Sequence, residues 1–306
     1  MIVYSLLLVT FFICLLSLLV LWRATCLQLP EGWLILLLSI SMQVFIYLYG
    51  TWVFVSVFAK YLFALCFIIT WIVGAIRAKH GKVKRFERLS KWVSLFCLII
   101  FGTLCVLYFT GTTGKPYGYA RLALPFKTGK YLVLQGGKGL PTNLFHYKLR
   151  GAVYAMDIVK LNKWGNRSNS IFSKRPEDYE IFNDTVYSPC AGHVLKALDE
   201  NKDNIPPIRK RGPGNTNQVL IDADSMYVFM AHFKYKSVFV KAGDVVSIGQ
   251  PIGCAGNSGF SLEPHLHIQA HAKTDKTIPW YKEKPLLIEF DGRSYLLFEE
   301  IDAGGR

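Results

Sequence analysis

Two histidines separated by one residue are the clearest chemical signal in the sequence. His265 and His267 lie in the segment Pro-His-Leu-His-Ile-Gln, residues 264–269. In a β-strand the side chains at i and i+2 point to the same face, so both imidazoles would project together while Leu266 and Ile268 face a core. Imidazoles placed in this way can reach one metal ion. A polar strand face that happens to carry two histidines explains the pair equally well, so the pair alone leaves both interpretations open.

The elements that would position this pair are short strands in the second half of the chain. Turn-rich sequence over 243–263 leads into His265, and the stretch 160–183 is polar and aperiodic, which predicts a long surface loop. A hairpin would cross Asp291-Gly292. The predicted strands are 131–135, 152–159, 193–198, 218–223, 226–232, 238–240, 265–271, 286–290 and 294–298. We therefore expect an all-β C-terminal domain, an antiparallel sandwich or partly open barrel.

Two glycine-rich segments do not predict a nucleotide site. Residues 111–118 superficially resemble a phosphate-binding loop, but that motif needs Gly at position 109 and Ser or Thr at 116, where this chain has Phe109 and Pro116. We interpret 111–118 as a linker and 136–139 as a turn.

The first 110 residues are predicted to be a transmembrane region. Residues 1–22 are almost wholly apolar, and neither a preceding positive charge nor an A-x-A site supports a cleaved signal peptide. At 1.5 Å rise per residue, the apolar stretch 33–76 is too long for one crossing and suits two helices. We expect four helices, at about 1–22, 33–53, 55–76 and 92–110. The turn between the second and third helices should lie between positions 50 and 60.

The charge distribution predicts how this region is oriented. The chain has a net charge of +14. Basic residues cluster in the loop 77–91, with Glu87 as the one acid among them: Arg77, Lys79, Lys82, Lys84, Arg85, Arg88 and Lys91. Such a cluster beside apolar segments is typical of a cytoplasmic loop, which places the C-terminal domain outside and argues against nucleic-acid binding.

The cysteines do not predict a metal site. Four of the seven fall in apolar segments, Cys26 follows the first of these, and there is no CxxC pair. Cys190 and Cys254 are the two in the C-terminal domain. Outside the cytoplasm they could form a disulfide, and the sequence leaves this open.

The block 241–268 resembles the C-terminal signature of the lysostaphin-type (LytM-like) zinc endopeptidases, roughly GxxIGxxGxTGxSxGPHLHFE. Here Glu-Pro-His-Leu-His stands at 263–267, where that family has GPHLH. Residues 184–194 resemble the family's GTPVYAPxxGxV element, and Asn-Gln-Val-Leu-Ile (217–221) followed by Met-Ala-His-Phe (230–233) resembles GNxVxI and YxHL. The resemblance covers roughly 119–301 and implies a compact antiparallel β domain with one zinc ion in a groove on the sheet.

The resemblance also implies roles for individual residues. Asp157 and His267 match two of the family's three zinc ligands, and His232 and His265 match its catalytic histidines. A ligand set of two histidines and one aspartate leaves the fourth tetrahedral position for water. We take His146 as the remaining ligand.

The first ligand is where this chain departs from the family. The usual spacing is HxGxD or HxxxD, but Val153 and Ala155 occupy the positions where histidine would stand. His146 is the nearest upstream histidine, in an arrangement similar to the NxxH…YAxD of some relatives. His193 and His271 are the alternatives.

The sequence therefore predicts a zinc-dependent endopeptidase, a hydrolase held in the bacterial inner membrane by several spans, whose 119–301 domain acts on the outer face. The resemblance implies peptidoglycan peptide cross-links or stems as substrate. One alternative is a catalytically silent scaffold or activator of other cell-wall hydrolases. Another makes the helices a transporter or sensor, for which only Lys60 is a candidate membrane-embedded charge.

Overall fold

A computed structural model describes residues 2–25, 31–78, 88–210, 214–275 and 277–304. The chain forms two compact units, Met1–Tyr108 and Phe109–Arg306. Cys26 and residues 79–87 of the predicted basic loop lie outside the described residues, so their predicted placement stays a prediction.

The first unit contains four apolar helices: α1 (Ile2–Ala24), α2 (Glu31–Tyr49), α3 (Ala59–Ala78) and α4 (Arg88–Thr110). Each is long and apolar enough to cross a membrane. A short 3₁₀ turn, Trp52–Phe54, lies between α2 and α3. The Ile46 carbonyl in the last turn of α2 accepts hydrogen bonds from the Gly50 amide and from the Trp52 indole, so the 3₁₀ turn is tied to the end of the helix.

The second unit is built on one ten-stranded sheet. Its main path runs β12-β2-β3-β10-β7-β6-β5-β8, β11 pairs with both β10 and β1, and β4 and β9 form a separate two-stranded sheet. Every pair is antiparallel except β1 with β11, which is parallel. The strands are β1 (Tyr119–Leu122), β2 (Lys130–Gln135), β3 (Met156–Leu161), β4 (Thr185–Tyr187), β5 (Gly192–Leu198), β6 (Gln218–Ala223), β7 (Met226–Ala231), β8 (Val245–Val246), β9 (Pro251–Cys254), β10 (Leu266–Ala272), β11 (Pro285–Phe290) and β12 (Glu300–Asp302). The expected fold class is confirmed, an antiparallel β domain after four apolar helices.

The core lies on one face of this sheet and the predicted site on the other. On β10, Leu266 and Ile268 join the main hydrophobic cluster. His267, Gln269 and His271 alternate with them and therefore point to the opposite face. The alternation expected from the sequence is present in the structure.

The predicted hairpin near the end of the chain is wrong. The turn itself exists, since the Phe290 amide bonds to the Arg293 carbonyl and Asp291 and Gly292 both have positive φ. However, 294–298 is not a strand. β1 pairs with residues 287–290 and β10 with 285–286, and beyond the bridge between Phe290 and Arg293 the chain leaves β11 and continues to β12, which pairs with β2.

Three further expectations from the sequence need correction. The strand expected at 152–159 begins only at Met156, because the preceding residues form a 3₁₀ turn. Residues 238–240 are not a strand. The stretch 160–183 is not simply a surface loop, because Arg167 and Tyr179 are buried within it. The sequence leaves open a disulfide between Cys190 and Cys254, and in the structure both are free thiols.

Candidate metal centre

His146 is positioned by a buried asparagine. It lies on the single-turn helix α5 (Leu144–Tyr147). The Asn143 side-chain amide donates to the carbonyls of Val153 (3.0 Å) and Ala155 (2.9 Å), which leaves its oxygen to accept from His146 Nδ1 at 2.8 Å. The neutral His146 ring therefore carries its hydrogen on Nδ1 and its lone pair on Nε2.

Asp157 and His267 are brought together by strand pairing. They are directly opposite each other in the antiparallel register of β3 and β10, and Asp157 Oδ1 lies 2.9 Å from His267 Nδ1. The other ring nitrogen, His267 Nε2, lies 3.1 Å from Gln269 Oε1, which can only accept. Nε2 therefore donates, and a neutral His267 presents the lone pair of Nδ1 to the carboxylate.

The donor atoms of His146, Asp157 and His267 converge, all within 4.8 Å of one another, and the three side chains are buried. His146 Nε2 is 3.4 Å from Asp157 Oδ2. Burial lowers the pKa of His146 to about 4, although Asp157 opposes this shift, so the ring is neutral near pH 7. When both rings are neutral, two imidazole lone pairs face one carboxylate, and a cation between them would stabilise this arrangement. The arrangement fits a metal ion of the zinc type, for which nitrogen and carboxylate ligands are typical.

His232 and His265 lie beside this group, with their ring centroids 4.6 Å apart. Each has Nδ1 close to a backbone carbonyl, Ser258 O at 2.7 Å for His232 and Glu263 O at 2.8 Å for His265. Nδ1 therefore donates in both rings, and Nε2 is the atom that can take up or release a proton. His265 Nε2 lies 3.4 Å from Asp157 Oδ1. Burial, together with the nearby rings of His265 and His267, holds the pKa of His232 well below its ordinary value.

The backbone at His232 is bent. Its φ is 71°, a left-handed conformation that is uncommon for residues other than glycine. Asn217 supports this bend, because its carbonyl accepts from the His232 amide (2.9 Å) and its side chain donates to the Phe233 carbonyl (3.0 Å). Strain of this kind persists only where the surroundings hold it, and it is common at functional sites.

The structure brings five sequence-predicted residues together: His146, Asp157, His232, His265 and His267. The two alternative ligands lie elsewhere. His193 is exposed on β5. His271 is buried under the Trp280 ring with its Nδ1 bound to the Glu283 carbonyl, outside the converging group.

Sequence reasoning missed the residues that support this group. Gln269 could have been found, because it lies two positions after His267 on the same strand face. Nothing in the sequence marked Arg167, which sits in a polar stretch but forms a buried ion pair with Glu263.

Comparisons with known proteins show what the chain is similar to. The model of Peptidase family M23 matches residues 177–279. An uncharacterized metalloprotease of Haemophilus influenzae is 28% identical over an alignment of 137 positions, which covers 39% of this chain and 29% of the relative. The chain thus spans less than a third of that relative's length.

Solved structures are similar to about half of the chain. The antimicrobial peptidase lysostaphin from Staphylococcus simulans is 22% identical, with a TM-score of 0.29, covering 49% of this chain and 45% of the other. A zinc-containing peptidase from Vibrio cholerae is 15% identical, with a TM-score of 0.28, covering 55% and 40%.

His232, His265 and His267 lie within the residues that the family model matches, whereas His146 and Asp157 precede them. With the converging histidines and carboxylate already described, the segment 177–279 within the C-terminal unit matches the model of Peptidase family M23.

Proposed function

We propose that this chain is a zinc-dependent endopeptidase that hydrolyses peptide cross-links or stems of peptidoglycan outside the cytoplasm. One observation carries the proposal. Two imidazoles, each fixed through its other nitrogen by a side-chain oxygen, direct lone pairs at a single buried carboxylate. A protein keeps such a constellation when a cation completes it.

This geometry supports a role for each of these residues. His146 Nε2, Asp157 and His267 Nδ1 would hold one zinc ion, and three protein ligands leave the further coordination position that hydrolytic sites need. Zinc supplies Lewis acidity, which lowers the pKa of water towards about 7 and polarises a carbonyl. Asn143 and Gln269 would hold the two histidines in the ligating tautomer.

His232 and His265 would handle the proton. Because Nδ1 of each ring donates to a backbone carbonyl, Nε2 accepts a proton from the attacking water and later delivers it to the leaving amine. The same nitrogens, when protonated, donate hydrogen bonds to the oxyanion that develops on the substrate carbonyl. The low pKa of His232 keeps this ring neutral and able to accept a proton near pH 7.

The proposed location rests on the first unit and on the charge pattern. Four helices are long and apolar enough to span a membrane. Basic residues in the loop 77–91 favour a cytoplasmic position for that loop by the positive-inside rule, and α4 would then lead the peptidase domain to the outer face. Peptidoglycan is the peptide-containing polymer on that side of a bacterial inner membrane, which supports it as the substrate.

The first test is bound zinc per molecule of full-length chain, purified in detergent, for wild type and His146→Ala. We expect about one zinc in the wild type and little in the variant, because removing a direct ligand opens the site. Hydrolysis is measured beside it, as new amino groups released from purified peptidoglycan.

His193→Ala is the matched control, since it removes an exposed histidine of the same domain and should keep both zinc and hydrolysis. Zinc retained in His146→Ala would contradict the ligand assignment. A folded wild type that binds zinc but releases no amino groups would contradict the enzyme and favour the scaffold or activator.

A further inference from the structure

A buried ion pair lies next to the candidate site. The Arg167 guanidinium donates two hydrogen bonds to the Glu263 carboxylate, Nε to Oε1 and Nη2 to Oε2, each 2.8 Å long. The side chains are 1% and 9% exposed. Two parallel bonds of this kind fix the planes of both groups relative to each other, so the pair constrains orientation as well as charge.

Glu263 transmits this constraint to His265. Its backbone carbonyl accepts the hydrogen of His265 Nδ1 at 2.8 Å, and it also accepts from the Ser261 hydroxyl at 2.8 Å. The side chain that Arg167 holds therefore belongs to the residue whose carbonyl sets the tautomer and ring plane of His265. Pro264, between them, restricts the backbone that joins the two.

Arg167 is itself firmly held in the stretch 160–183. Its Nη2 also bonds to the Ile171 carbonyl, and its guanidinium lies 5.6 Å from the centroid of the Tyr179 ring. The backbone carbonyl of Arg167 accepts from the Glu180 amide at 3.0 Å. The polar stretch thus forms a frame that keeps the guanidinium in place.

We propose that Arg167 and Glu263 are a positioning pair that fixes the orientation of His265 for proton transfer. The inference rests on the proposed hydrolytic function and extends it to Arg167, which precedes the residues matched to the peptidase family. The hydrogen bonds of this pair lead through the Glu263 backbone to His265, so both side chains act through His265.

A purely structural role predicts a different result from a positioning role. Breaking a buried pair by removing one partner leaves an uncompensated charge and destabilises the fold, whereas replacing both partners with apolar residues of similar size is often neutral or stabilising. The double variant Arg167→Met/Glu263→Leu therefore removes the orienting contact while keeping the fold. In a structural role this variant would be as active as the wild type.

The experiment compares the double variant with wild type, both full-length in detergent. We expect unchanged zinc content, a thermal midpoint at or above that of wild type, and kcat on peptidoglycan lowered between about tenfold and 100-fold, since misplacing a reacting group by about 1 Å costs up to 10². KM should change little, because the pair does not contact substrate. Arg167→Lys, which keeps the charge but not the two parallel bonds, should be intermediate in kcat.

A matched control separates this pair from ion pairs in general. Lys160 and Asp184 form a part-buried pair, 2.9 Å long, that does not involve the histidines. Lys160→Met/Asp184→Leu should keep kcat. Unchanged kcat in the Arg167/Glu263 double variant, or an equal loss in the control, would overturn the positioning role.

Hydrogen exchange gives a second readout that does not depend on hydrolysis. Amides of residues 257–265 should exchange faster in the double variant than in wild type, with other strands unaffected. If the wild type fails to hydrolyse peptidoglycan, the proposed function fails, and unchanged exchange over 257–265 would separately overturn the positioning pair.

Discussion

At the residue scale, the hydrogen bond made by one ring nitrogen of each ligand histidine determines which nitrogen is left to face the metal position. His146 and His267 use different ring nitrogens towards Asp157, Nε2 in one and Nδ1 in the other, because Asn143 and Gln269 occupy the remaining ones. In the signature that the sequence resembles, glutamate stands where this chain has Gln269. A neutral amide there still fixes the tautomer but adds no negative charge beside the metal position.

The two groups of histidines should differ in what their loss does. His265→Ala should retain zinc, because His265 is not among the three converging ligands, and should lower kcat by about 10² to 10⁴, as expected for a general acid–base group. Zinc content and hydrolysis of peptidoglycan are measured on the same sample. Activity close to wild type would contradict the role of His265.

Loss of the Gln269 side chain should weaken metal affinity rather than impair proton transfer. Gln269→Leu removes the acceptor for His267 Nε2, and loss of such an outer partner typically weakens metal affinity 10–100-fold. Competition with a chromophoric chelator measures the change. Gln269→Glu, which keeps an acceptor, is the matched control and should bind zinc at least as tightly; equal affinity in all three proteins would show that Gln269 has no orienting role.

At the scale of elements, the loop 256–263 carries both backbone carbonyls that accept from His232 and His265. A neighbouring loop pins it: Asn204 donates to the Gly259 carbonyl at 2.7 Å, and the Asn257 side chain donates to the Asn204 carbonyl at 2.9 Å. Gly259 has a φ of 76° and packs against Thr216, so a side chain here would be both strained and crowded.

Gly259→Ala should therefore destabilise the domain more than an equivalent change in open space. Gly249 also has a φ of 76°, but nothing lies within 4 Å of the position that a Cβ would take. Gly249→Ala should cost about 1–2 kcal/mol from backbone strain alone, and Gly259→Ala about 1–3 kcal/mol more from overpacking. Thermal unfolding of both full-length variants measures the difference. Equal midpoints would show that the contact with Thr216 relaxes freely.

The elements also show what a sequence can and cannot predict. The side chains that share one face of β10 could be predicted from the alternating sequence, because successive side chains of a strand point to opposite faces. His146 could be proposed but not fixed, since its approach to Asp157 depends on a turn that Asn143 closes with long-range hydrogen bonds. The strand expected at 294–298 failed because local pattern does not reveal that the next strand after the turn, β12, pairs with the distant β2. Arg167 gave no signal, because its burial depends on a glutamate far along the chain.

At the scale of the whole molecule, the proposed orientation can be tested separately from the chemistry. In a background without the native cysteines, Val245→Cys should react with a membrane-impermeant maleimide in intact spheroplasts, because Val245 is 66% exposed and lies in the domain predicted to face outward. Lys82→Cys, in the basic loop, should react only after permeabilisation. The reverse pattern would place the peptidase domain in the cytoplasm and exclude peptidoglycan as substrate.

The separation of the candidate ligands along the chain has a consequence for the lifetime of the protein. Asp157 and His267 are 110 residues apart in sequence and belong to neighbouring strands at the centre of the sheet. An ion bound to both residues would link them, so that the chain between them would form a closed loop. Such a link reduces the conformational freedom of the chain much as a covalent cross-link does. Scarcity of zinc would then shorten the survival of the domain among cell-surface proteases as well as its activity, so the abundance of the protein would itself report the supply of the metal.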